Sequence, residues 1–221
     1  MPELTEYNPP TDPLRIIHQD DDLLVMSKPS GLLSVPGRGE HLSDCLVARA
    51  QALFPQALLV HRLDRDTSGL LVMGMNPRAQ KLLGQQFERR HIKKTYIARV
   101  DGIVKDDSGH VDLPIICDWP NRPLQKVCFE QGRSAQTDWQ VMERNEESNS
   151  TLMRLFPLTG RSHQLRVHMR EIGHPILGDA FYASPEAFAA APRLMLHALE
   201  LFLRHPTTQE DISFIDEIEN F

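Results

Sequence analysis

The chain has 221 residues and a formal net charge of −6, with 41% hydrophobic and 24% charged residues. This is the composition of a globular protein that is long enough for one large domain or two closely joined lobes. Neither an apolar stretch of the roughly 20 residues that span a bilayer nor a secretory signal is visible. We therefore expect a cytoplasmic protein with no membrane partner.

The spacing of apolar residues predicts a mixed α+β fold, a single domain over residues 1–221. Asn76 and Pro77 have the chemistry of a helix start, and Gly173 that of a helix end. Because strands dominate the middle without regular helix–strand alternation, we expect a mainly antiparallel sheet core with flanking helices. The expected strands cover residues 14–18, 23–27, 57–60, 69–75, 95–100, 111–115, 134–142 and 151–156. The expected helices cover residues 42–54, 77–90 and 163–172.

The connection between the third and fourth strands carries an acid between two arginines. Asp64 lies between Arg62 and Arg65, and a polar turn follows. Connections on a rigid scaffold are the usual place for reactive groups. The two guanidinium groups favour the ionised carboxylate, which suits a nucleophile or a base. The alternative is a simple turn with solvated charges.

A basic segment leads into the fifth strand. Arg89, Arg90, Lys93 and Lys94 precede Tyr96. Aromatic and basic residues interleaved in this way suit a nucleobase stacked on a ring with phosphates held nearby. A half-buried strand tyrosine beside a solvated basic turn is the alternative.

The last predicted helix has two different faces. Leu165, Met169 and Ile172 are expected to face the core, whereas Arg166 and Arg170 share another face. We expect Arg170 to lie at the surface.

The charge is unevenly distributed along the chain. Residues 61–170 contain 18 Lys and Arg against 13 Asp and Glu, and the rest contains 6 against 17. Positive charge therefore gathers around the segments described above, as expected of a protein that binds a phosphate polymer. The alternative is that a long acidic protein merely has a less acidic middle.

Three motifs together resemble the RluA family of pseudouridine synthases. His-Arg-Leu-Asp at 61–64 with Thr-Ser-Gly-Leu at 67–70 resembles the family's catalytic signature. Lys-Thr-Tyr at 94–96 resembles its tyrosine motif, and residues 159–168 resemble its arginine motif. The motifs occur in the family's order, and the resemblance extends over about residues 14–206. Further matching segments are 8–10, 28–31, 174–179 and 196–198.

The resemblance implies the pseudouridine synthase fold with a central RNA-binding catalytic cleft. It implies that Asp64 is the catalytic residue, that Tyr96 lies against the target uracil, and that Arg166 pairs with Asp64. By the same resemblance, Arg62 fills the stack vacated by a flipped uridine. Arg161 is interpreted as a phosphate or sugar contact.

Residues 116–128 resemble the branch of the family that modifies both 23S ribosomal RNA and the anticodon stem-loop of transfer RNA. Trp119, Arg122 and Lys126 give this segment the aromatic and basic content to bind an RNA stem-loop, together with Lys93 and Lys94. A proline-braced surface loop is the alternative.

One departure from the family is visible near the end of the chain. Phe-Ile-Asp-Glu at 214–217 replaces the Ala-Pro pair that is common in the family's last strand. We expect this change to affect the packing of the last strand and not the chemistry.

The expected reaction needs neither a metal nor a cofactor, because isomerising uridine involves no net oxidation or reduction. Cys45, Cys117 and Cys128 show no metal-ligand spacing. We expect a monomer, and the roughly 60 residues before Asp64 leave no room for an N-terminal S4-type RNA-binding module. Two alternatives are a non-catalytic RNA-binding or ribosome-assembly protein and a glycoside hydrolase using Asp64 and Asp66 as a carboxylate pair.

Overall fold

A computed structural model describes residues 7–218 and residue 221. The contacts divide the described chain into two compact units, residues 7–94 with 197–218 and residues 95–196 with 221. The strands are β1 (Arg15–Gln19), β2 (Leu23–Lys28), β3 (Leu58–Leu59), β4 (Ser68–Gly74), β5 (Lys93–Asp101), β6 (Ser108–Asp112), β7 (Ile115–Cys117), β8 (Gln125–Val127), β9 (Gln136–Asn145), β10 (Ser150–Pro157), β11 (Leu196–Arg204) and β12 (Asp211–Ile215). The helices are α1 (Leu46–Leu53), α2 (Pro77–Glu88), α3 (Gln164–Glu171) and α4 (Pro185–Ala189).

The first unit is built on a mixed sheet in which β1, β2, β4 and β11 follow one another, while β3 pairs with β4 and β12 pairs with β11. All of these pairs are antiparallel except β4 with β11, where Ser68 pairs with His197. Gly69 permits this parallel contact, because a Cβ there would lie 2.4 Å from the Ala198 carbonyl oxygen. Strand β4 is buried along its whole length, so the segment that precedes it is anchored to the centre of the sheet.

Helix α2 covers one face of this sheet. It begins as predicted, with the Asn76 side chain accepting a hydrogen bond from the Ala79 amide and with Pro77 in the first turn. Leu83 and Phe87 pack into a cluster with Val72 and its neighbours.

The second unit is a fully antiparallel sheet in the order β5-β10-β9-β6, together with the separate β7–β8 hairpin. Helix α3 packs on its core through Leu165, Met169 and Ile172, which confirms the predicted apolar face. The α+β class with mainly antiparallel strands is also confirmed.

Several boundaries differ from the prediction, and three of the differences change the local structure. The helix expected from residue 42 begins only at Leu46, because a separate 3₁₀ turn occupies Glu40–Leu42 and Cys45 caps α1. The single strand expected over 111–115 is two strands, β6 and β7, in different sheets. The segment over 116–127, interpreted as a loop, contains both strands of the β7–β8 hairpin and a 3₁₀ turn at Trp119–Asn121.

The departure from the family at the chain's end is accommodated in the first unit. Phe214 lies in β12 and packs against the same cluster as Leu83. Asp216 is fully buried, and its carboxylate Oδ1 lies 2.9 Å from Arg15 Nη1. The packing of this strand is therefore regular despite the different sequence.

Candidate active site

Asp64 lies on the connection between β3 and β4 in the first unit, as predicted. Its side chain is partly exposed, and Arg62 is exposed beside it. Arg65 binds Asp66 through two hydrogen bonds of 2.8 and 3.1 Å. Asp66 is thus held in an ion pair with its neighbour, an arrangement unlike the carboxylate pair of a glycoside hydrolase.

The backbone around Asp64 is held by residues 28–34, which sequence reasoning did not identify as part of the site. The Ser34 hydroxyl donates to the Leu63 carbonyl at 2.7 Å and accepts from the Leu63 amide at 3.1 Å. On the other side of Asp64, the Gly31 amide donates to the Arg65 carbonyl at 3.0 Å, and the Ser30 hydroxyl donates to the Asp66 carbonyl at 2.7 Å. The main chain is therefore fixed immediately before and after Asp64.

Lys28 adds a buried charge to this support. Its Nζ donates to the carbonyl oxygens of Pro29, Leu32 and Arg65 at 2.9, 2.7 and 2.7 Å. Burial lowers the pKa of this ammonium to about 7, while the carboxylates of Asp66 and Asp64 act to raise it. The Lys-Pro-Ser-Gly segment, which matched the family without an assigned role, was the signal that could have revealed this support.

The start of β4 is tied to β11 by a buried hydrogen-bond chain. His197 Nε2 donates to the Asp216 carbonyl at 2.8 Å, so in a neutral ring Nδ1 accepts from the Ser68 hydroxyl at 2.9 Å. This chain fixes the end of the Asp64 connection that enters the sheet.

His61 is a structural residue in this unit. Its Nε2 accepts a hydrogen bond from the Val72 amide at 3.0 Å, and its ring stacks on Phe87 at 4.5 Å between centroids. Burial, aided by the nearby Lys94 charge, lowers the pKa of His61 to about 3. A ring that is neutral at ordinary pH and already accepts a main-chain hydrogen bond is poorly suited to proton transfer.

The two predicted lysines lie at the start of β5, also in the first unit. Lys93 is exposed, and its Nζ lies 5.4 Å from the centroid of the Phe202 ring. Burial lowers the pKa of Lys94 to about 8. Farther along the same strand, Tyr96 is half-buried opposite Leu155 in the second unit.

Arg166 is a buried cation on α3 in the second unit. It is 2% exposed and binds Asp179 through Nε and Nη2 at 2.7 and 2.6 Å. Its guanidinium lies 5.1 and 5.2 Å from the rings of Phe181 and Tyr182. These contacts hold the side chain in one orientation. The pairing with Asp64 that the family resemblance implies stays a prediction.

Arg161, His163 and Arg170 each contact another residue of this unit. Arg161 Nε donates to the Ser134 carbonyl at 3.1 Å. The Arg161 side chain is partly exposed. A hydrogen bond of 2.7 Å joins His163 Nδ1 to the Tyr182 hydroxyl. Arg170 lies over the Tyr182 ring at 5.3 Å, on the same side of α3 as Arg166.

The β7–β8 hairpin carries the predicted aromatic and basic residues, with Trp119 and Arg122 at its tip and Lys126 on β8. Trp119 is 65% exposed, and the Arg122 guanidinium lies 4.3 Å from its ring centroid. Lys126 Nζ lies 3.0 Å from the Asp118 carboxylate. The tip therefore offers two planar groups in contact, an indole ring and a guanidinium.

Comparison with known proteins identifies the family and its reaction. Residues 22–171 match the family model described as RNA pseudouridylate synthase. The chain is 53% identical over 212 residues, 96% of each chain, to the dual-specificity RNA pseudouridine synthase RluA of Escherichia coli strain K12. It is 55% identical over 207 residues to the protein of the same name from Vibrio vulnificus, covering 92% of this chain and 83% of that protein.

Solved structures agree with the sequence relatives. Human RNA pseudouridylate synthase domain containing 1 aligns with a TM-score of 0.76 at 28% identity, over 93% of this chain and 83% of that one. Human RNA pseudouridylate synthase domain containing 4 aligns with a TM-score of 0.73 at 25% identity, over 93% and 89%. The chain therefore belongs to the RNA pseudouridylate synthase family and is an isomerase that converts uridine in RNA to pseudouridine.

Proposed function

We propose that this protein modifies uridines in structured stem-loops of both 23S ribosomal RNA and the transfer RNA anticodon arm, with Asp64 as the catalytic carboxylate. The observation that carries the assignment of Asp64 is the rigid backbone on both sides of it. The dual substrate class rests on the names of the relatives that are 53–55% identical over nearly the whole chain. We propose that the enzyme acts on these two RNAs in the cytoplasm, as a monomer.

The reaction breaks the bond between N1 and the ribose C1′, turns the uracil, and joins C5 to C1′. The C5 proton is lost and N1 gains a proton, so the product is an isomer of the substrate. Asp64 either adds to C1′ or takes the 2′ proton to begin an elimination. Tyr96 stacks on the uracil and accepts or relays the C5 proton, and Arg166 orients the Asp64 carboxylate. Arg62, which is exposed, fills the stack that the flipped uridine leaves.

The remaining contacts are to the RNA chain. We assign phosphate or sugar contacts to Arg161, Lys93 and Lys94. The hairpin residues Trp119, Arg122 and Lys126 would contact the stem-loop itself.

The substitution Asp64→Asn tests the central assignment. The amide is almost the same shape as the carboxylate but is neither nucleophilic nor basic, so pseudouridine formation in a tRNA anticodon stem-loop should become undetectable while RNA binding persists. Asp66→Asn is the matched control, since Asp66 is two residues away and should leave most of the turnover intact. Activity of Asp64→Asn within tenfold of wild type, a barrier change of about 1.4 kcal/mol, would contradict the assignment.

The substrate range needs a second experiment. Pseudouridine should be mapped in total RNA from cells with and without the gene. We expect sites to disappear from both ribosomal and transfer RNA, and loss from only one class would refute the dual specificity.

A further inference from the structure

A basic groove of about 540 Å³ lies in the first unit. It is formed by the C-terminal end of α2, the start of β5 and the β11–β12 hairpin. Most of its charged lining residues are cations. The charged lining residues are Arg89, Arg90, Lys93, Arg204 and Asp211.

The positive charge of this groove is only partly offset, because four cations line it together with the carboxylate of Asp211, which lies opposite Arg204 in the β11–β12 pair. All four cations are exposed, and within residues 7–218 and 221 none of them forms an ion pair with a carboxylate. Arginines at a helix C-terminus are favoured by the helix dipole, which explains Arg89 and Arg90. The helix dipole does not explain Lys93 and Arg204, which come from other elements and add to the repulsion among the four cations. Such a cluster is suited to an anionic ligand.

Two of the cations are held in place before any ligand binds. The side-chain amide of Gln86 donates to the Arg204 backbone carbonyl at 2.7 Å and accepts from the Arg204 backbone amide at 2.9 Å. Arg204 Nε donates to the Gln209 carbonyl at 2.6 Å. Lys93 rests over the Phe202 ring. A restrained cation loses less conformational entropy when it binds an anion, so this groove is better prepared than a mobile lysine patch.

The C-terminal end of α2 lines the groove through Gln86 and Arg89 and also contacts the segment that carries Asp64. Phe87 of α2 stacks on His61, three residues before Asp64, and Arg89 follows Phe87 by two residues. We propose that the groove binds the phosphodiester backbone of the substrate stem next to the modified loop, an inference that rests on the proposed function.

Salt dependence of RNA binding tests this proposal. Each phosphate contact contributes about 0.7 to 0.9 to the slope of log K against log salt concentration. The double variant Arg89→Gln/Arg204→Gln should therefore lower the magnitude of the slope by about 1 to 2 for a full-length tRNA. Arg78→Gln is the matched control, because Arg78 is exposed on the same helix but outside the groove, and it should leave the slope unchanged.

Equal slopes for the groove variant and the Arg78 control would overturn the proposal. A loss of the same size with a short unstructured RNA would also overturn it, because no flanking stem is then present. Since Arg204 contacts Gln86 and Gln209, Arg89→Gln/Lys93→Gln serves as a second double variant if the first unfolds. If Asp64→Asn still formed pseudouridine while the groove variants still lowered the salt slope, the catalytic assignment of Asp64 would fail and the groove proposal would stand. The failure of one proposal can therefore be distinguished from the failure of the other.

Discussion

At the scale of single residues, Lys28 links the fold to the chemistry. Its ammonium is fully buried and contacts three carbonyl oxygens, and only the charged form has three N–H groups to donate. One of these carbonyls belongs to Arg65, directly after Asp64. A buried cation here is tolerated because its donors are satisfied and two carboxylates lie nearby.

We predict that Lys28→Met lowers both stability and turnover. The substitution leaves buried carbonyls without a donor and releases the backbone beside Asp64, so the free energy of unfolding should fall by about 1–3 kcal/mol. Urea denaturation and single-turnover assays measure the two effects. Lys81→Met, at an exposed position on α2, is the control and should change neither.

The pH dependence gives this prediction a second test. Folding lowers the pKa of Lys28 from 10.5 to about 7, so between these values the unfolded chain binds the proton more tightly. The stability of the wild type relative to Lys28→Met should therefore rise as the pH increases from about 7 toward 10. If the difference in free energy of unfolding between the wild type and Lys28→Met stayed constant or fell over this pH range, the burial of a titrating lysine would be contradicted.

At the scale of elements, the β7–β8 hairpin is anchored to the helix that carries Arg166. The Tyr182 hydroxyl accepts from the Gln125 amide at 2.8 Å and shares a hydrogen bond with His163 at the start of α3. Leu124 and Val127 pack into a cluster with Val167 of α3. The base of the hairpin is thus part of the core, while its tip is exposed.

We predict that the hairpin tip influences the choice of RNA. Exchanging residues 118–123 for the same segment of a relative with another substrate should change which uridines are modified and leave the reaction itself intact. Residues 124–127 are kept, since they anchor the hairpin to the core. Site mapping on ribosomal and transfer RNA gives the readout, and unchanged site selection would argue that the tip is only a surface turn.

At the scale of the whole molecule, the reaction should run with protein and RNA alone. Isomerisation involves no net oxidation or reduction, and side chains carry out the assigned proton transfers. We predict that exhaustive EDTA treatment leaves turnover unchanged on an RNA whose folding does not require magnesium. Restoration of lost activity by zinc and not by magnesium would refute this prediction, whereas rescue by magnesium alone would point to RNA folding. No helix among the described residues is long and apolar enough to cross a membrane.

Features encoded over short stretches of sequence were predictable. The start of α2 follows from Asn76 and Pro77, which are adjacent, and the apolar face of α3 follows from a repeat of three to four residues. The position of Asp64 between two strands follows from the apolar runs around it. The split of 111–115 into β6 and β7 was missed, because apolar periodicity does not reveal which sheet a strand joins.

The sequence by itself determined the family, the order of the motifs and the residue types available for the reaction, because each is written in a short contiguous run. Only the tertiary structure decided what holds Asp64 in place and how the groove cations come together. Lys28 and Ser34 are 37 and 29 residues from their partners Arg65 and Leu63, and Gln86 is 118 residues from Arg204. Contacts at such separations depend on how the strands pair and pack, which local propensity does not specify.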